Sequence, residues 1–85
     1  MHLIWGEPVK AGLARRDPSL GEFDVVAGGI VAIGDDAAQY RDFARPSAAL
    51  YIGGMGARGK NFYNDVCRDY GFADEAIAVQ DAYLD

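Results

Sequence analysis

The chain has 85 residues, a net charge of −5 and a pI near 4.6, and 51% of its residues are apolar. This composition is typical of one small globular domain, and its acidic balance argues against general binding to nucleic-acid phosphates. The single cysteine, Cys67, excludes an internal disulfide and is too little for a zinc site. No run reaches the roughly 18–20 apolar residues of a membrane span, and residues 1–10 lack the pattern of a signal peptide. We therefore expect a cytoplasmic protein that binds neither membrane nor nucleic acid.

The first predicted element is a short helix over about residues 7–16. Trp5, Val9 and Leu13 recur every four residues, and proline at position 8 is tolerated in a first helical turn. Turn-forming residues over 15–21 then end the pattern.

The next segment, residues 23–33, reads FDVVAGGIVAI and predicts a buried β-strand. Apart from Asp24 it is apolar, and five of its residues are β-branched, as in strands that a parallel sheet covers on both faces. A hairpin that turns at Gly28 and Gly29 is the alternative. We favour the single strand because polar and apolar residues do not alternate on either side of the glycines.

A second helix is predicted after this strand. Asp35 or Asp36 can cap its start, and the spacing of apolar residues continues to Ile52. Pro46 is expected to kink or split the helix, and the pair Gly53 and Gly54 to end it.

Two more helices complete the pattern. Phe62, Val66 and Tyr70 lie four residues apart and predict a helix over about 60–70, with Gly71 as its stop. A last helix is expected to begin near residue 74 and to continue to the end of the sequence.

One strand without a neighbour is not stable, since its unpaired backbone groups each cost about as much as a lost hydrogen bond. We therefore expect residues 1–85 to form a single incomplete domain of a larger α/β protein.

Residues 54–61, GMGARGKN, match the spacing of two phosphate-binding motifs, G-x-G-x-x-G and G-x-x-x-x-G-K. Asn61 stands where a P-loop has a serine or threonine hydroxyl, and a helix is predicted where a strand should precede the loop. The dinucleotide motif also requires an acidic residue at the end of a second strand, but Asp74 lies at a predicted helix start. The sequence therefore argues against a nucleotide site.

Three stretches together resemble the bacterial-luciferase-like oxidoreductases, and within them the branch that depends on the deazaflavin coenzyme F420. They are GLARRDPSLGEFD (12–24), FDVVAGGIVAIGDD (23–36) and ALYIGGMGARGKNFYND (49–65). The resemblance covers the chain from about Trp5 to Asp85 and implies a late segment of a (β/α)₈ TIM barrel, mostly helical, with one strand over about 23–33. It also implies hydride transfer between the cofactor and a small organic substrate.

Active sites of such barrels lie at the C-terminal ends of the strands. The resemblance therefore makes Gly34, Asp35, Arg58 and Lys60 candidate cofactor-binding residues. It makes Asn61 and Tyr63 candidate substrate-binding residues. No residue is assigned as catalytic or as a metal ligand.

The expected cofactor is F420, with FMN as the alternative, and neither is expected to bind this piece alone. The expected partner is the remainder of the barrel or a second copy of the chain, and the piece alone is expected to be inactive. A small helical interaction module that oligomerises is the alternative reading, and a phosphate-binding loop protein is a third.

Overall fold

The computed structural model describes residues 4–85, and most of them are helical. The four α-helices are α1 (Gly6–Ala14), α2 (Ala37–Ala49), α3 (Phe62–Asp69) and α4 (Ala73–Leu84). A 3₁₀-helix at Pro18–Leu20 and a π-helix at Leu50–Gly54 complete the regular structure of the described residues. The chain divides into a first unit that ends at Val31 and a second unit, Ala32–Asp85.

The first unit contains α1 and the turn after it, both as the sequence predicts. The Asp17 carboxylate accepts a hydrogen bond from the Ser19 backbone N–H at 2.9 Å and caps the 3₁₀-helix. This bond lowers the pKa of Asp17, because it stabilises the ionised carboxylate. Arg16 donates to the carbonyl of Leu20 at 3.2 Å, and its guanidinium lies 5.6 Å from the ring centre of Phe23.

The predicted strand over residues 23–33 is absent from the described chain, and so is the alternative hairpin. Val26 is 84% exposed and Ile33 is 91% exposed, so the segment is covered on neither face. A strand needs a neighbouring strand to satisfy its backbone groups, and residues 4–85 supply none. Residues 23–33 therefore do not form a strand in the described chain, although their composition favours one.

The first helix of the second unit is α2, and its start agrees with the prediction. The Asp36 carboxylate accepts a hydrogen bond from the Gln39 N–H at 3.0 Å, which satisfies one of the free donors of the first turn. Of the kink or split expected at Pro46, the split does not occur, since α2 continues through Pro46 to Ala49. The helix then widens into the π-helix, which ends at Gly54 as the glycine pair predicts.

Helix α4 packs against the π-helix and against α3. The backbone at Gly53 and Gly54 lies directly against the side chain of Tyr83, and a Cβ added at Gly53 would stand 2.7 Å from the Tyr83 Cβ. Gly71 adopts a φ of +96° between α3 and α4, a conformation that favours glycine, and it ends α3 as predicted.

The apolar core of the second unit is small. Ala76 is the fully buried apolar side chain among the described residues, while Asn61, Asn64 and Gln80 are buried polar side chains. No helix within residues 4–85 is long and apolar enough to cross a membrane.

The contact between the π-helix and α4 predicts that alanine at Gly53 is destabilising, unlike alanine at a glycine that touches nothing. Gly53→Ala should destabilise the second unit by about 1–3 kcal/mol, because its new methyl group overlaps Tyr83. Gly12→Ala in α1 is the matched control: nothing lies within 4 Å of its added Cβ, so helicity should rise. Urea unfolding followed by circular dichroism measures both, and a Gly53→Ala protein as stable as the parent would contradict the packing.

Candidate functional site

At each glycine of GMGARGKN, a larger residue would either overlap a neighbouring group or strain the backbone. Gly54 packs on the ring of Tyr83, and a Cβ on Gly56 would overlap the backbone carbonyl of Lys60. Gly59 has a φ of +74°, in the left-handed region that glycine adopts without strain. The Lys60 N–H donates to the carbonyl of Ala57 at 2.8 Å and closes the turn. The glycine spacing that resembles a phosphate loop is thus explained by a tight turn between two helices.

Asn61 caps the start of α3 and is 1% exposed. Its side-chain oxygen accepts a hydrogen bond from the Asn64 N–H at 3.2 Å. Its side-chain nitrogen donates to the carbonyls of Tyr51 and Ile52, both at 3.1 Å. Both amide hydrogens and the amide oxygen are therefore used within the protein.

Asn64, which is 2% exposed, extends the same arrangement. Its side-chain nitrogen donates to the carbonyl of Ile52 at 3.0 Å and to that of Ala76 at 2.8 Å. Its oxygen accepts from Nε of Arg68 at 2.7 Å. We refer to the side chains of Asn61, Asn64 and Arg68 as the amide network, which links the π-helix, α3 and α4.

Arg58 projects from the glycine turn to the end of α4. Its Nε and Nη2 donate to one carboxylate oxygen of Asp81 at 3.1 and 2.9 Å, and Nη2 also donates to Asp85 at 3.0 Å. These bonds, with that to Asp85 the largest contribution, raise the pKa of Arg58 above its ordinary value. About half of the Arg58 side chain is exposed, so solvent and salt screen the pair.

Tyr63 lies in an aromatic cluster beside this turn. Its ring meets that of Tyr51 edge to face at 4.9 Å between centroids, and that of Phe62 at 5.5 Å. Tyr63 is partly exposed, and Lys60 is exposed on the turn itself.

Gly34 and Asp35 occupy a bend before α2. A Cβ on Gly34 would overlap the hydroxyl of Tyr40, and Asp35 is exposed. The 13 residues of α2 separate this bend from the π-helix, a length of about 20 Å at 1.5 Å per residue. The structure therefore groups Arg58, Lys60, Asn61 and Tyr63 around one turn and places Gly34 and Asp35 at the opposite end of α2.

Two features of this region are not predicted from the sequence. One is the amide network, although an asparagine directly before a helix is a common N-cap, and this position could have identified Asn61. The other is an open groove of about 290 Å³. Its lining is apolar apart from one carboxylate and consists of Ile52, Cys67, Phe72, Glu75, Ala76 and Val79. The described residues contain no group of three or more His, Cys, Asp or Glu side chains placed to hold a metal ion.

The sequence is similar to part of a protein from Mycobacterium tuberculosis whose name assigns it provisionally as a coenzyme F420-dependent oxidoreductase. The two are 44% identical over 71 residues, which cover 81% of this chain and 20% of the relative. The chain thus spans about a fifth of that protein's length. No protein-family model matches the chain, and no solved structure matches it.

The amide network predicts a large loss of stability when Asn64 is truncated. Asn64→Ala should cost about 2–4 kcal/mol, because it removes the buried side-chain donor to the Ala76 carbonyl and one of the two donors to the Ile52 carbonyl. It also removes the acceptor of the Arg68 Nε–H. Asp69→Ala, on the exposed side of the last turn of α3, is the control and should change stability by less than about 0.5 kcal/mol. Equal unfolding midpoints for the two variants would show that the network does not hold the unit together.

Proposed function

We propose that this chain is a segment of a coenzyme F420-dependent oxidoreductase, a protein that moves a hydride between a deazaflavin and a small organic substrate. The observation that carries the proposal is the 44% identity over 71 residues to the mycobacterial relative. FMN is the alternative cofactor. The segment alone is proposed to be inactive, because four-fifths of the relative has no counterpart in it.

The exposed segment 23–33 supports this origin. Five β-branched side chains lie in a run of eleven residues that contains one charge, yet the described chain provides no strand to pair with it. Strands of this composition are covered on both faces in parallel sheets, such as that of a (β/α)₈ barrel. We propose that 23–33 is a strand in the complete protein and that α2 to α4 form a helical excursion after it.

The described residues do not by themselves fit a whole deazaflavin cofactor. Pockets for ligands of that size bury most of the ligand's surface, whereas the groove beside Cys67 is open and has no cationic lining residue. The cofactor would supply the hydride chemistry in the complete protein. The residues of this chain would contribute part of the wall of its site.

Arg58 and Lys60 are the residues proposed to meet an anionic part of the cofactor. Both lie on the glycine turn, and Arg58 already binds carboxylate oxygens of Asp81 and Asp85. A guanidinium held by two exposed carboxylates can exchange one of them for another oxyanion, because such pairs contribute little free energy in water. We propose no ligand contact for Asn61, since its amide is fully used within the amide network. Gly34 and Asp35 are proposed to contact the cofactor, and Tyr63 is proposed to contact the substrate.

A second candidate function is a helical interaction module. The observation in its favour is the number of exposed aromatic and aliphatic side chains beside the glycine turn, including Tyr51, Met55, Phe62 and Tyr63. The ring of Tyr63 meets those of Tyr51 and Phe62, and exposed apolar clusters of this kind often mark a binding site for another protein. In the oxidoreductase proposal the same surface is covered by the remainder of the barrel.

A segment exchange tests the leading proposal. The 71 matching residues of the mycobacterial relative are replaced by those of this chain, and F420 binding is measured by fluorescence titration beside the parent. The chimera should bind F420 with a dissociation constant within about tenfold of the parent's, a difference of about 1.4 kcal/mol. A folded chimera that binds no F420 while the parent does would overturn the proposal, and binding of FMN alone by both would favour the alternative cofactor.

Within that chimera, Arg58→Ala should weaken F420 binding by about tenfold through loss of a charge-assisted hydrogen bond. Arg41→Ala, which removes an exposed positive charge from α2, is the matched control. If the two variants bind equally well, Arg58 does not contact the cofactor, and binding by the chimera still supports the family.

A further inference from the structure

The segment Val25–Val31, VVAGGIV, is uncharged and lies outside every helix of the described chain. None of the backbone hydrogen bonds described for residues 4–85 involves these seven residues. Val26, Ile30 and Val31 are between 77% and 84% exposed. The segment therefore presents free N–H and C=O groups and apolar side chains together, a combination that favours pairing with another strand.

The sequence of the segment is close to symmetrical about Gly28. If two copies run antiparallel with Gly28 opposite Gly28, Val25 of each copy faces Val31 of the other. Val26 in the same way faces Ile30. Four cross-strand pairs of β-branched residues result, and such pairs are among the most favourable in antiparallel sheets.

The placement of charge selects this antiparallel arrangement over a parallel one. Asp24 is the charged residue that adjoins the segment. In a parallel, in-register pair the two Asp24 carboxylates would be neighbours on strands about 4.8 Å apart, and their like charges would repel. In the antiparallel pair each Asp24 faces Ala32 of the other copy, so the two carboxylates stand about 27 Å apart at 3.4 Å per residue.

We propose that residues Val25–Val31 are a self-association site, through which two copies of this chain form an antiparallel two-stranded ribbon with its two-fold axis at Gly28. The partner is a second copy of the same chain, and the interface is the same surface on both copies. In the complete oxidoreductase proposed above, neighbouring strands would occupy the same edges. The self-association proposal concerns the 85-residue chain and does not depend on that function.

The association is expected to be weak at low salt. A two-stranded ribbon has marginal stability in water, and each copy carries a net charge of −5. Added salt screens this repulsion between copies and should tighten the dimer.

Sedimentation equilibrium of the 85-residue chain, with three variants, tests the proposal. Val26→Lys should raise the dimer dissociation constant at least about tenfold, because it disrupts two cross-strand pairs. Phe43→Lys, at an 81% exposed site on α2, makes the same change of charge away from the segment and should leave the constant within about twofold. Circular dichroism of each variant verifies that the helices are retained.

The double variant Val26→Lys with Ile30→Glu distinguishes the two strand directions. In the antiparallel ribbon each lysine faces a glutamate of the other copy, so association should recover to within a few-fold of the parent. In a parallel pair lysine faces lysine and glutamate faces glutamate, so association would weaken further than in Val26→Lys alone. A parent chain that stays monomeric at high concentration and high salt, equal effects of Val26→Lys and Phe43→Lys, or a double variant weaker than the single one would each overturn the proposal.

Discussion

The carbonyl groups of Tyr51 and Ile52 belong to the π-helix, and the side-chain amides of Asn61 and Asn64 donate the hydrogen bonds that satisfy them. These hydrogen bonds join the π-helix to α3 and, through Asn64, to α4. A buried carbonyl without a donor costs about 1–3 kcal/mol, and the unit has little buried apolar surface to offset such a loss, since Ala76 is its fully buried apolar side chain. Asn64 also reaches the carbonyl of Ala76, so one side chain fixes α4 against the π-helix and α3.

The amide network also requires a sharp turn of the chain between Gly54 and Asn61. Asn61 must be at the start of α3 for its amide to reach the π-helix, and the chain must therefore turn sharply between Gly54 and Asn61. The glycines allow that turn, through the close contact of Gly54 with Tyr83 and the positive φ of Gly59. A phosphate loop instead directs its backbone N–H groups at a ligand, whereas here the Lys60 N–H bonds to Ala57 within the turn.

The helices could be predicted from the sequence because their signals are local. Apolar residues every three or four positions, the Asp36 cap and the stop at Gly71 all act within one or two turns, and the structure confirms them. The predicted strand over 23–33 is not confirmed, because a strand depends on a neighbour that these 85 residues do not provide. The composition of residues 23–33 is that of a strand, but composition does not show whether a second strand is present to pair with it.

The polar contacts of the candidate site were the least predictable part. Arg58 pairs with Asp81 and Asp85, which lie 23 and 27 residues further along the chain, and no local pattern connects them. The sequence makes Asn61 a candidate substrate-binding residue, and in the structure the π-helix brings two carbonyls within reach of its side-chain amide. The two carbonyls lie ten and nine residues before Asn61 in a π-helix, and the periodicity of the sequence does not reveal a π-helix there.

Residues 54–61 are explained by a structural turn beside the amide network, without a nucleotide site. The most direct test is a titration of the ¹⁵N-labelled chain with ATP and Mg²⁺, followed through the backbone amide resonances of Gly54–Asn61. We expect no saturable shift of these resonances and unchanged side-chain amide signals of Asn61 and Asn64. Saturable shifts centred on Gly56 to Lys60 that disappear in Lys60→Ala would contradict it.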